Sequence, residues 1–324
     1  MSVIQAMLTG FRRATRSPVI LLWLWLLNLG VAAPVALLVA GAIKSEIRSS
    51  RVDEKLLDGF DMEWFGEYES RTRGTARTFT PTLTGAGAFY DNFENWLGGG
   101  FPVTVEIALA GTLHVLIWAL MLGGVIDRYA RAQVRPTLRR FFANGARFFF
   151  RFVRLTLISG ALYVLVYLLS RRLFKGLDEW TRETTSELVV FYYSLVVWGL
   201  VAFLLTLIHM SFGYAKIATV IEDRRSMFVA ALRGIGFVLF HPLKTIGLYY
   251  GLLLVSVFLL ALYSVVAPGV DQSTIPSIVV AFGVAQLFLL AKLLLRLTFI
   301  AGQTALYQEY APRQTDAVVT EEAP

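Results

Sequence analysis

Long runs almost free of charge recur along the chain, each too long for a strand and long enough for a membrane helix. Six stretches qualify, at residues 18–43, 103–126, 155–172, 188–213, 243–268 and 277–299. About 20 apolar residues carry a helix across a hydrocarbon core of roughly 30 Å, so each run is expected to be one span. The third holds only 16 uncharged residues, Leu155 to Ser170. Arg151, Arg154, Arg171 and Arg172 at its ends can lay their methylene stems along the helix and lift their charges to the interfaces. The first run follows Arg12, Arg13 and Arg16 as a secretory signal would. It far exceeds the roughly 7–15 residues of a signal core and is read as an uncleaved first helix. The expected fold class is all-α: a polytopic membrane helix bundle of six transmembrane helices with cytoplasmic interfacial elbow helices.

The segments between the spans complete the plan. On one side lie an N-terminal elbow at 1–17, an Arg/Phe-rich elbow at 127–154, a third elbow at 214–242 and a tail at 300–324. On the other lie a cap at 44–102, a loop at 173–187 and a short turn at 269–276. Lys and Arg collect on the cytoplasmic side of membrane proteins. Segments 1–17, 127–154, 214–244 and 292–324 hold 19 basic residues against 7 acidic ones, and the opposite side holds 11 against 15. Both termini are therefore expected inside, in the inner membrane of a bacterium.

Composition agrees with this plan. The chain of 324 residues is 56% hydrophobic and only 16% charged, against about 25% charged in a soluble domain. With no Cys there is no disulfide, no thiolate metal site and no thiol nucleophile. Three His leave little for a His-based metal centre, and no cofactor is expected. The net charge of +7 belongs to membrane surfaces rather than nucleic acid, because the excess Arg flanks spans, where it meets anionic headgroups.

An internal repeat precedes every odd-numbered span. Ala6, Leu8, Gly10 and Pro18 align with Ala230, Leu232, Gly234 and Pro242 at one constant offset, and RRFFANGARFFFRFVRLTLI is the middle copy, without the proline. Three units are read, each an elbow helix followed by a hairpin of spans. In the middle elbow, Arg140, Arg147, Arg151 and Arg154 fall within about 60° of one another at 100° per residue, with Phe141, Phe142, Phe148, Phe149 and Phe152 opposite. That pattern predicts a helix in the interface plane, with arginines on headgroups and phenylalanines on acyl chains. It serves either as a lipid-binding surface or as a topological anchor. Asn144 and Gly145 are a candidate break within it.

Other candidates carry competing readings. Asp58, Asp61, Glu63, Glu67 and Glu69 in the cap could offer oxygen ligands to a hard cation, although their spacing matches no EF-hand loop. The plainer reading is solvated acids beside Phe60, Trp64, Phe65 and Tyr68, which pack on the bundle or sit in an aromatic belt. A protein partner docking through Asp61, Glu63, Trp64 and Glu67 lies between the two. Lys292, Arg296 and Gln303 share one face of the last span within about 40°. Lys292 lies about 22 Å and Arg296 about 28 Å along the helix from Ser277. They either anchor at the interface or pair with Asp127, Glu222 and Asp223 in an inner polar cluster that closes the bundle. Glu106, His114 and His209 lie at different depths, so they form no compact catalytic set. His114 is read as an interhelical hydrogen-bonding residue or, less simply, as part of a proton relay. The chain has no P-loop, HExxH, GxSxG or dinucleotide fingerprint.

The segments GGVIDRYAR, YAKIATVIEDRRS, GFDMEWFGEYE, FTPTLTGAGAFYDN and TALYQEY resemble a family of uncharacterised bacterial six-span integral membrane proteins over nearly the whole chain. That resemblance implies no activity or site. An acid after a span followed by an amphipathic stretch, with a closing Ala-Leu-Tyr plus acid, is similar to the membrane domain of some glycerophosphodiester phosphodiesterases, and implies a non-catalytic membrane module. The expected function is non-enzymatic: organising lipid, anionic at the cytoplasmic face, or a partner protein through the cap. The alternative is a transporter or channel for a small or lipid-like solute.

Overall fold

A computed structural model describes residues 1–50, 62–73, 104–131, 137–184, 186–267 and 274–310. Among these the chain is all-α, a polytopic membrane helix bundle. Nine helices are α1 (Val3–Thr15), α2 (Pro18–Ser50), α3 (Met62–Arg71), α4 (Val105–Ala130), α5 (Leu138–Thr181), α6 (Glu187–Ile221), α7 (Met227–Phe240), α8 (Pro242–Val266) and α9 (Ile275–Tyr310). Six of them, α2, α4, α5, α6, α8 and α9, are long and apolar enough to cross a membrane.

Proline decides where the helices break. Pro18 opens α2 and Pro242 opens α8, at the first helical position, where a missing N–H costs nothing and the residue before is held away from helical geometry. Each therefore ends an elbow and starts a span. The middle copy has Val153 at the matching position, so elbow and third span form one helix, α5, of 44 residues, capped at its start by the Thr137 side chain. The expected boundary at 154 is absent, and the helix also runs through Asn144 and Gly145 and on through Thr181, past the loop expected from 173. The 300–324 tail is likewise corrected: α9 continues to Tyr310, and Ala301, Thr304, Ala305 and Leu306 are buried.

The structure divides into two units. One comprises Met1–Ala14, Ala119–Tyr250 and Thr298–Pro324, and holds all three elbows. Its core includes Ala6, Val125, Tyr129, Phe152, Tyr214, Ala230, Leu248 and Leu306. The other comprises Thr15–Trp118 and Gly251–Leu297. Within it Trp25 Nε1 donates to Gln286 Oε1 at 2.8 Å, and the Tyr263 and Phe288 rings stack at 4.2 Å. The spans of this second unit expose Leu37, Leu38, Leu109, Leu113, Phe258 and Val279. Apolar side chains all round a helix suit a hydrocarbon surround, where the helix satisfies its own backbone hydrogen bonds.

Candidate functional site

The site is built from the three elbows, and glycine places each one. A Cβ on Gly10 would strike the Thr298 carbonyl and lie 2.8 Å from the Gly302 backbone nitrogen; one on Gly234 would strike the Ser211 carbonyl and lie 2.7 Å from the Ala215 nitrogen. In the middle copy a Cβ on Gly145 would strike the Leu120 carbonyl, and one on Gly123 would lie 3.2 Å from the Gly145 Cα. Only the absence of a side chain lets these backbones touch. Elbow two thus packs on the Ala130 end of span two, elbow three on span four, and elbow one on span six. The repeat closes on itself, because its first elbow takes as its partner the even span of its last unit.

Each elbow is also tied to the even span of its own unit. In the first, Arg13 Nη1 donates to the Tyr129 carbonyl at 2.9 Å and to Gln308 Oε1 at 3.2 Å, while Gln308 Nε2 donates to the Ala130 carbonyl at 2.8 Å. These donors satisfy carbonyls that the end of α4 leaves without intrahelical partners. In the second, Arg147 Nη2 and Arg151 Nη1 reach Asp223 at 2.5 and 2.7 Å, and Arg151 donates to the Arg224 carbonyl at 3.1 Å. Asp223 has a φ of 47°, a left-handed position just past a helix end that glycine usually takes. Two guanidinium groups hold it there and draw its carboxyl below the usual carboxylate range, chiefly through the Arg151 hydrogen bond. In the third, Lys244 meets the Tyr310 hydroxyl, and His241 packs against the same ring at 4.7 Å.

Two further clusters complete this unit. Asp127, 6% exposed, takes Arg140 at 3.1 Å, Asn144 at 2.7 Å and Arg131 at 3.3 Å. Glu222 accepts from the Tyr307 hydroxyl and from Arg224. The amino group of Met1 pairs with Glu309, which raises its pKa above the ordinary value.

Several expectations are thereby revised. Of the arginines read as headgroup ligands, Arg140, Arg147 and Arg151 are held by Asp127 and Asp223, and Arg154 alone is exposed without an ion-pair partner among the described residues. Phe148 and Phe152 are buried in the protein rather than facing acyl chains, whereas Phe142 and Phe150 are exposed. Asp127, Glu222 and Asp223 are all engaged within the elbow unit, so the inner polar cluster expected with Lys292 and Arg296 does not describe them. Gln303 lies in the elbow unit beside Gly213. In the second unit the Arg296 guanidinium lies 3.5 Å over the Trp118 ring, and Lys292 Nζ 5.7 Å from the Phe288 ring. His114 is 6.3 Å from Trp118, ring to ring.

In the cap, Asp58, Phe60 and Asp61 lie outside the described residues. Trp64 and Tyr68 are buried, their rings 5.4 Å apart, so Trp64 is a packing anchor rather than a docking side chain. Glu63 and Glu67 are exposed, and Arg71 links Glu67 at 3.3 Å to Glu46 at 3.6 Å. Among the described residues no three acids or histidines are placed to hold a metal ion.

Two residues that matter were not singled out as sites: Arg13 as the tie between helices, and Trp118 as the platform under Arg296. Arg13 had no local signal, since at 100° per residue it sits about 60° round from Arg16, on the same side as the other arginines of its elbow. Trp118 had none, because nothing local links residue 118 to residue 296. Comparison of the chain with protein-family models, with curated proteins and with solved structures matched nothing.

Proposed function

We propose that the chain is a non-enzymatic module of the bacterial inner membrane, both termini cytoplasmic, that organises anionic lipid around its elbow ring. The observation that carries this reading is the division of α1 and α7 into faces. On α1, Ala6, Gly10 and Ala14 are buried while Ile4, Leu8 and Phe11 are exposed, a stripe within about 60° at 100° per residue. On α7, Ala230, Ala231 and Gly234 are buried, while Phe228 and Leu232 are exposed at the positions that match Ile4 and Leu8, and Leu239 is exposed on the same face. Leu8 is 52% and Leu232 54% exposed. A helix that turns small residues to its own protein and large apolar ones outward suits an interfacial helix sunk into acyl chains.

The basic residues fit the same picture. Arg16, Arg139, Arg154, Arg225 and Arg233 are exposed on or beside the elbows, and near a membrane surface each basic residue adds about 1 kcal/mol of attraction to anionic lipid. Native mass spectrometry of the detergent-purified full chain tests the reading. Anionic lipid should survive purification on the wild type, and Arg16→Gln, Arg139→Gln, Arg154→Gln and Arg233→Gln together should strip most of it. A bare protein that carries solute across liposomes would overturn the proposal in favour of transport.

A further inference from the structure

The basic pair of α9 has no role in the elbow ring, and it differs from Arg147 and Arg151, which lie over the Phe148 ring but are also paired with Asp223. Lys292 and Arg296 are one turn apart, and both are exposed on a helix otherwise apolar enough to span. Counting from Ile275, they lie about 26 and 32 Å along the helix, at the far edge of a hydrocarbon core of roughly 30 Å. An ionised group facing lipid at that depth is costly unless an opposite charge or water meets it. Among the described residues neither has an acidic partner.

What they do have is aromatic support. The Arg296 guanidinium lies 3.5 Å over Trp118, which is buried. Lys292 lies near Phe288, which is itself stacked on Tyr263 with their planes 9° apart. A guanidinium lying on a ring has spent its face and keeps its edge, and that edge matches two oxygens of one phosphate. The rings also hold the cations in place beforehand, which lowers the ordering cost of taking a ligand.

We infer that Lys292 and Arg296, presented by Trp118 and Phe288, bind the phosphate of an anionic phospholipid in the leaflet next to the end of α9. The inference rests on the lipid-organising reading and deepens it, because it assigns a defined headgroup site outside the elbows. The lipid is preferred over free phosphate because both cations are exposed on a helix apolar enough to span and lie, counted from Ile275, near the depth of the headgroups.

The test is native mass spectrometry of the full chain titrated with phosphatidylglycerol or with phosphatidylcholine. The wild type should retain phosphatidylglycerol in preference. Lys292→Gln with Arg296→Gln should weaken the tightest phosphatidylglycerol binding roughly tenfold, from the loss of charged hydrogen bonds, and leave phosphatidylcholine unchanged. Arg296→Lys keeps the charge but loses the two-pronged edge and should fall between, which keeps the question open to test if the double variant does not fold. Undiminished phosphatidylglycerol binding by a folded double variant would overturn this site alone. Wild-type protein with no anionic lipid would overturn both readings. Displacement of the lipid by millimolar inorganic phosphate would instead assign the pair to a free anion.

Discussion

The arginines of α5 and the basic pair of α9 both sit at span ends, yet only the first are matched by acids. Arg140, Arg147 and Arg151 find carboxylates within 3.1 Å, supplied by Asp127 and by Asp223, the latter more than seventy residues away in sequence. Lys292 and Arg296 find aromatic rings and, among the described residues, no acid, whereas Arg147 and Arg151 lie over Phe148 as well as on Asp223. A cation matched by an acid is neutralised inside the fold and holds helices together. A cation resting on an aromatic ring keeps its charge available. Basic residues at span ends therefore differ in their partners, which their position in the sequence does not reveal.

Four perturbations press on this contrast. The largest effect is expected from Gly234→Leu. A side chain there overlaps the Ser211 carbonyl and the Ala215 nitrogen, both backbone atoms that cannot swing aside, so the loss should be about 3 kcal/mol or more. It should appear as lowered thermal unfolding in detergent, with the α9 lipid affinity measured on the folded fraction unchanged. Next comes Asp127→Ala, which strands Arg140 and Asn144 around a nearly closed site. About 2–3 kcal/mol should be lost, and wild-type lipid retention at α9 would confirm that the two regions do different work.

Trp118→Ala probes the other side of the comparison. Removing the platform under Arg296 should weaken phosphatidylglycerol binding by roughly five- to thirtyfold, the worth of a partly desolvated cation–π contact, in addition to the fall in unfolding temperature that the cavity left by a buried tryptophan brings. An effect on stability alone would mean that the ring is only core.

The smallest effect belongs to Asp223→Asn. Its carboxylate is half exposed, so the ion pairs should contribute roughly 0.2–1 kcal/mol in all. Because the folded-state pKa is lowered, this contribution is complete above the usual carboxylate range and fades as the pH falls through the folded value. Unfolding followed from neutral pH down to about pH 3 should show the wild-type advantage over the variant shrinking. An advantage that grew as the pH fell would contradict the ion pairing.

Much of the architecture was legible because its cause is local. Apolar length marks a span, and proline at the first turn marks a break, which is why Pro18 and Pro242 fall at element boundaries. The elbow glycines could be aligned by counting. The run from Arg147 to Arg154 was legible as a basic stripe, but Asp223 as the recipient of two of its arginines was not. The pairing spans 72 and 76 residues, and helical periodicity is silent about partners on other helices.

By itself the amino-acid sequence determined that the chain is helical, where it can cross a membrane, and that three elbow units repeat, since hydrophobic length, proline placement and glycine spacing act within a few turns. Only the tertiary structure decided that the repeat closes, with Gly10 against Thr298 and Gly302, and that Asp127 and Asp223 claim the α5 arginines while rings underlie the α9 pair. Those outcomes depend on which backbones can approach closely enough to touch, and that is settled by packing between helices far apart in the chain.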